Sequence, residues 1–130
     1  MLQKNSIVGD FDKNFEVIKN AYKKACLKDC DFLLTSELFL TGYPPQDLIS
    51  RLDFQEKVNF FRNKLIKITK KKKTILILNI PQKEKGKIFN VLLLIKNGSI
   101  VYKKSKSVLP NYGVFDERRY FSAEKIDLAF

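Results

Sequence analysis

The dipeptide Asn97-Gly98 sits between two apolar runs in IFNVLLLIKNGSIVYKK (residues 88–104), and it narrows the possible folds more than any other feature of the chain. A two-residue hairpin turn that follows the right-handed twist of its strands needs positive φ at both central residues. Asn-Gly adopts that conformation with the least steric cost. The flanking runs are rich in branched and aromatic residues, so the stretch predicts two antiparallel strands joined by a tight turn. TILILNIP (74–81) predicts another strand, stopped by Pro81, and QKEKGK (82–87) predicts the turn that follows it. DFLLTS (31–36) predicts a short strand buried on both faces. Phe15, Ile18, Tyr22 and Ala25 recur at helical spacing in SIVGDFDKNFEVIKNAYKKACLKDC, with Asp12 or Asn14 as the cap. Phe54, Val58, Phe61, Leu65 and Ile68 describe a second amphipathic helix beginning at Asp53. The order helix, strand, helix, strand, hairpin predicts an α/β chain whose sheet is covered by helices, with no internal repeat and no linker. The remainder, SKSVLPNYGVFDERRYFSAEKIDLAF (105–130), reads as loop, and a loop this long in a compact domain is usually functional.

With 130 residues, 45% of them hydrophobic and 11 of them Phe, the chain can bury a single packed core. No apolar run reaches the roughly 18 residues of a membrane helix, and the N-terminus lacks the basic flank and apolar core of a signal peptide. The expectation is a cytoplasmic protein without a membrane partner. Histidine is absent, which removes Ser-His-Asp and Cys-His machinery and most zinc sites. Any chemistry must run on carboxylate, lysine, tyrosine or thiol, and no metal is expected. Cys26 and Cys30 are expected to be free, half-buried framework thiols in a reducing compartment. The formal charge of +11 comes mostly from lysine. Its longest run, Lys70 to Lys73, falls at the expected end of a helix, where cations complement the dipole. Aromatic residues do not interleave with it, so it reads as a solvated surface, and no nucleic-acid partner is expected.

Three polar features stand just beyond predicted strands. In FLLTSELFLTGYPPQDL (32–48), Glu37 follows the first strand and a stiff Gly-Tyr-Pro-Pro turn follows Glu37. Lys106 comes after the hairpin's second arm, and Asp116 and Glu117 lie in the loop beyond it. Ligands of α/β sheets gather beyond the carboxyl ends of strands. Each residue also has an ordinary explanation: Glu37 as a turn-capping surface acid, Lys106 as one lysine among many, Glu117 as a surface partner of Arg118 or Arg119. Residue types and spacing alone stop at an α/β domain with a candidate acid–base site.

SELFLTGYPPQDL and KSVLPNYGVFDERRYF resemble the two leading motifs of the nitrilase, or carbon–nitrogen hydrolase, superfamily. The second is similar to the form found in the glutaminase domains of glutamine-dependent NAD synthetases. IPQKEKGKIFNVLLLIKNGSIVYKKSK fits the same domains through a Gly-Lys turn, an Asn in the next strand and a Gly-centred hairpin, and NSIVGDFDKNFEVI fits their opening. The resemblance implies the N-terminal half of a nitrilase-like α-β-β-α sandwich, with residues 1–130 as a partial glutaminase domain and the synthetase domain absent. It implies a Glu-Lys-Cys hydrolase acting on the side-chain amide of glutamine. Glu37 matches the general base, Lys106 the lysine that stabilises the oxyanion, and Glu117 a second carboxylate that positions the lysine. Tyr112 matches a tyrosine of the glutamine pocket, which Tyr43 is expected to line as well. Ammonia would pass to a synthetase domain that amidates deamido-NAD. ATP and Mg belong to that domain only, and no cofactor is expected in this chain.

The resemblance also has gaps. The family's nucleophilic cysteine lies downstream of the NYGVFDE motif, beyond residue 130, whereas Cys26 and Cys30 both precede Glu37. No Ser-Gly-Gly-rich pyrophosphate loop of a synthetase is present, MLQ stands where the family opens with a full strand, and Asn79 stands where Gly is common. Without a covalent nucleophile no acyl-enzyme forms, so the chain alone is expected to be inactive. Its uncovered sheet face is expected to make it poorly soluble or partly molten. Three other readings stay open: a half-enzyme completed by a second polypeptide, the remnant of a broken gene, and a basic nucleic-acid-binding protein. Full-length relatives are expected to be homo-oligomers.

Overall fold

In a computed structural model, which describes residues 1–124, two helices cover one face of a four-stranded sheet. The elements are α1 (Phe11–Leu27), β1 (Phe32–Leu34), α2 (Leu52–Ile68), β2 (Ile75–Glu84), β3 (Lys87–Lys96), β4 (Ser99–Ser105) and α3 (Glu117–Tyr120), with a 3-10 turn at Gln46–Ser50. The sheet order is β1-β2-β3-β4. β1 runs parallel to β2 through the α2 crossover, and β2, β3 and β4 form two antiparallel hairpins.

The α1 stripe of Phe11, Phe15, Ile18, Tyr22 and Ala25 meets the α2 stripe of Phe54, Val58, Phe61 and Leu65. Phe11 lies edge-on to Phe54 at 4.9 Å and stacks on Phe61 at 5.6 Å. Both stripes press on Leu76, Leu78 and Ile80 of β2 and Val91, Leu93 and Ile95 of β3, all essentially inaccessible to solvent. Each buried Leu or Ile there contributes about 2 kcal/mol relative to exposure. The cap of α1 is Asp10, whose carboxylate accepts from the Lys13 N–H at 3.1 Å, and not Asp12 or Asn14. Asp12 instead lies in the first turn, where an acid suits the helix dipole. Asn14 is buried and committed elsewhere. Its Nδ2 donates to the carbonyls of Ile7 (2.7 Å) and Leu40 (3.1 Å), and its Oδ1 accepts from the Ile7 N–H at 2.9 Å.

The Asn97-Gly98 turn forms as expected, with φ of 47° and 79°. It docks on the end of α2: Gly98 N–H donates to Thr69 Oγ1 at 2.9 Å, and Lys71 N–H donates to Asn97 Oδ1 at 2.8 Å. Lys70 to Lys73 lie just past that helix end. Pro81 does not stop its strand. β2 continues to Glu84 and turns back through Lys85-Gly86, making QKEKGK part of a hairpin. β1 pairs with β2 only as far as Ile77, so β2 has a single neighbour beyond that point and tolerates a residue with no N–H. β1 is likewise not buried on both faces. Leu33 is buried under the helices, but Phe32 is 58% exposed on the other side of the sheet, which is covered only toward Asn90 and Pro81. By strand register that open face carries Phe32, Leu34, Ile75, Ile77, Leu92, Leu94 and Tyr102. The stretch expected to be loop contains α3 and the buried Phe121, and its residues 125–130 lie outside the described ones. Among the described residues, no helix is long and apolar enough to cross a membrane.

Candidate active site

β1 ends at Leu34, and the Thr35 N–H donates to Ile77 O at 3.1 Å, which carries the alignment one residue further. Glu37 therefore projects from the turn after the strand and not from the strand itself. Behind it Leu38, Phe39 and Leu40 are fully buried, and Thr41 Oγ1 donates to Leu38 O at 3.1 Å. The buried knot fixes the backbone while leaving the Glu37 side chain 39% exposed. Gly42 closes the knot at φ 79°, and a Cβ there would fall 2.5 Å from Val8 Cα, so only glycine fits.

Lys106 follows β4, and its N–H donates to Asn90 O at 2.8 Å. Its ammonium lies 2.8 Å from Glu37 Oε1 and 3.2 Å from Glu117 Oε1. It also lies 3.1 Å from Glu117 Oε2, but off the line a hydrogen bond needs, so Oε2 has an ion-pair partner and no aligned donor. The Glu117 side chain is only 4% exposed and that of Lys106 28%. α3 holds Glu117 in place, its N–H donating to Pro110 O at 3.2 Å. Tyr43 Oη donates to Glu117 Oε1 at 3.2 Å. Burial pulls the Lys106 pKa down, but the hydrogen bonds and charges of Glu37 and Glu117 outweigh it and hold it above the ordinary lysine value. Burial, then the charge and hydrogen bond of Glu117, push the Tyr43 hydroxyl up to about 12. Tyr43 is therefore a neutral donor and Lys106 a stable cation; among the described residues two of its three N–H groups are committed, which leaves one for an incoming oxygen.

Residues 37, 43, 106 and 117 thus meet at one point. Tyr112 does not join them. It is 72% exposed and packs edge-on against Phe115 at 5.6 Å. Phe115 helps line a cleft of about 250 Å³ between the Tyr43-Pro44-Pro45 turn and α3, with Glu117 and Tyr43 in its wall. The residue that spacing and charge missed is Asn90, a fully buried amide on β3 whose Nδ2 donates to Glu37 Oε1 at 2.8 Å. Its one signal was an amide interrupting an apolar strand. A larger groove of about 810 Å³ lies at the other end of β1, lined by Cys26, Cys30, Asp29, Asp31 and several lysines. Among the described residues Asp29 and Asp31 form no ion pair with those lysines; Lys19 pairs instead with Glu16 at 2.6 Å. Size alone does not make it the reacting centre. Cys26 is half-buried and Cys30 exposed, so only the first is a framework thiol. Both lie at the end of β1 opposite Glu37, and neither brings sulfur to the acid–amine cluster.

A helix-backed sheet thus carries an acid–lysine–acid cluster beyond the ends of its strands, and the chain belongs to the carbon–nitrogen hydrolase family, whose model matches residues 1–130. Its fold is the N-terminal half of the nitrilase-like sandwich. The chain is 36% identical over 121 residues to the glutamine-dependent NAD+ synthetase of Thermotoga maritima, covering 93% of this chain and 21% of that protein. It is 33% identical to the Synechocystis protein of the same name, covering 95% and 23%. Among solved structures, the glutamine-dependent NAD+ synthetase of Acinetobacter baumannii superposes with a TM-score of 0.87 at 27% identity, over 95% of this chain and 23% of that one. A Nesterenkonia amidase superposes with a TM-score of 0.82 at 25% identity, over 95% and 46%. The chain spans about a fifth of the length of the curated relatives it matches.

Proposed function

We propose that this chain is the acid–lysine portion of a glutamine amidohydrolase, the ammonia-supplying domain of a glutamine-dependent NAD+ synthetase. The reading is carried by one observation: Lys106 Nζ sits between Glu37 and Glu117, 69 and 11 residues away in sequence, within 2.8 and 3.2 Å. The attacking thiol comes from polypeptide outside these 130 residues, seated against the open sheet face. It is either the continuation of a longer chain or a second polypeptide. Glu37 takes the proton from the thiol, and the sulfur attacks the amide carbon of glutamine. The oxygen that becomes anionic meets the free N–H of Lys106, while Glu117 and Tyr43 hold the lysine side of the pocket. Glu37 returns the proton to the departing nitrogen as ammonia leaves. Water activated by the same carboxylate then splits the thioester and releases glutamate. The ammonia is passed on for amidation of a deamido-dinucleotide.

The test mixes this chain with the C-terminal remainder of the Thermotoga maritima synthetase and measures ammonia release from glutamine. Release is expected from the mixture and not from the chain alone, and Lys106→Met should lower it by about 10²–10³. Hydrolysis by the chain alone would overturn the assignment of the sulfur. Full activity of the Lys106→Met mixture would overturn the assignment of the lysine.

A further inference from the structure

We infer that Asn90 is a positioning residue which, with Lys106, occupies one oxygen of Glu37 and leaves the other to move the proton. This rests on the function proposed above only in naming the proton's destination; the geometry stands apart from it. Glu37 Oε1 accepts two hydrogen bonds, from Asn90 Nδ2 and from Lys106 Nζ, both at 2.8 Å. Among the described residues, none falls on Oε2. A carboxylate held at one oxygen by two donors keeps its plane, and its second oxygen is left to take up a proton.

The identity of the donor is fixed by elimination along a chain of contacts. A carboxylate only accepts, so the amide nitrogen of Asn90 must face Glu37 and its oxygen must face away. There Asn90 Oδ1 accepts from Asn79 Nδ2 at 3.3 Å. Asn79 stands opposite Leu92 on β2, one diagonal step from Asn90 on the open face. The Asn90 carbonyl meanwhile holds the Lys106 backbone at 2.8 Å. One β3 residue thus aims the acid through its side chain and anchors the amine through its main chain. A fully buried amide among Leu and Val would otherwise be a cost to the fold.

The first test uses the chain alone. In ¹H–¹⁵N spectra the proton that Asn90 donates to Glu37 should lie far downfield of its geminal partner. Glu37→Ala should bring the two resonances together, and an unchanged separation would overturn the inference. Asn79→Ala removes one neutral hydrogen bond from the far side of the amide and should speed its rotation about fivefold. An unchanged rate would remove Asn79 from the assignment. The second test uses the mixture that releases ammonia. Asn90→Ala should lower kcat by about 10- to 100-fold while KM stays within a factor of about three. A change confined to KM or to thermal stability would make Asn90 merely structural. If the wild-type mixture releases no ammonia, the proposed function falls, and the spectra still decide whether Asn90 holds Glu37.

Discussion

Lys106 is the residue on which the cluster turns, because it neutralises a carboxylate that is almost wholly buried. Lys106→Met leaves Glu117 without its cation and should destabilise the chain by about 2 kcal/mol. The figure lies below the roughly 3–5 kcal/mol of a fully buried pair because the amine itself is partly exposed. Combining it with Glu117→Gln should cost less than the sum of the single changes by about 1 kcal/mol, measured as a double-mutant cycle in urea. Tyr43 provides a pH test. Burial and then Glu117 raise its hydroxyl from 10.0 to about 12. A raised folded value stabilises the protein below the unfolded value and loses that effect as pH climbs through the folded one. The stability advantage of wild type over Tyr43→Phe should therefore shrink between pH 10 and about 12, in urea melts across that interval. Lys106, raised from 10.5, has the same sign, with its loss beginning above that pH.

Two glycines separate backbone conformation from steric fit at the level of elements. Gly98 has φ 79°, and an added Cβ would meet only the Lys70 side chain, at 2.7 Å, which can swing aside. Gly98→Ala should cost about 1 kcal/mol, the price of a left-handed alanine. Gly42 has the same φ, but its Cβ would strike the Val8 backbone. Gly42→Ala should cost about 3 kcal/mol or more and displace the turn that carries Glu37. Urea denaturation of the two variants checks the contrast. The elements show why some of this was legible in the sequence. Asn97-Gly98 and the Phe11–Phe61 stripes are local patterns with one structural meaning. Pro81 misled because whether a proline ends a strand depends on the neighbouring strand, which sequence order does not display. Asn14 looked like a cap because its link to Leu40 spans 26 residues. Asn90 was visible only as part of the family pattern; its role was not, since its partner lies 53 residues away.

For the whole molecule, the open face dominates. Phe32 and Tyr102 are each more than half exposed there, and partly buried Ile75, Ile77, Leu92 and Leu94 lie between them. A patch of this kind invites self-association. The isolated chain should bind an apolar dye and sediment as a concentration-dependent species, and the complementing portion should abolish both effects. A dye-silent monomer at micromolar concentration would count against an uncovered face. Recognisable motifs made Glu37, Lys106 and Glu117 nameable in the sequence, whereas their meeting around one ammonium depends on the whole fold. That meeting places one positive charge between two acids, a formal excess of one negative charge. A carboxamide is neutral and enters such a pocket without electrostatic penalty. Under the proposed function, the carboxylate it becomes meets that one excess negative charge, a repulsion of about 1 kcal/mol at 4 Å in water. Departure would then be driven by the arrangement itself, and free glutamate should compete with glutamine only feebly, gaining ground as added salt screens the site.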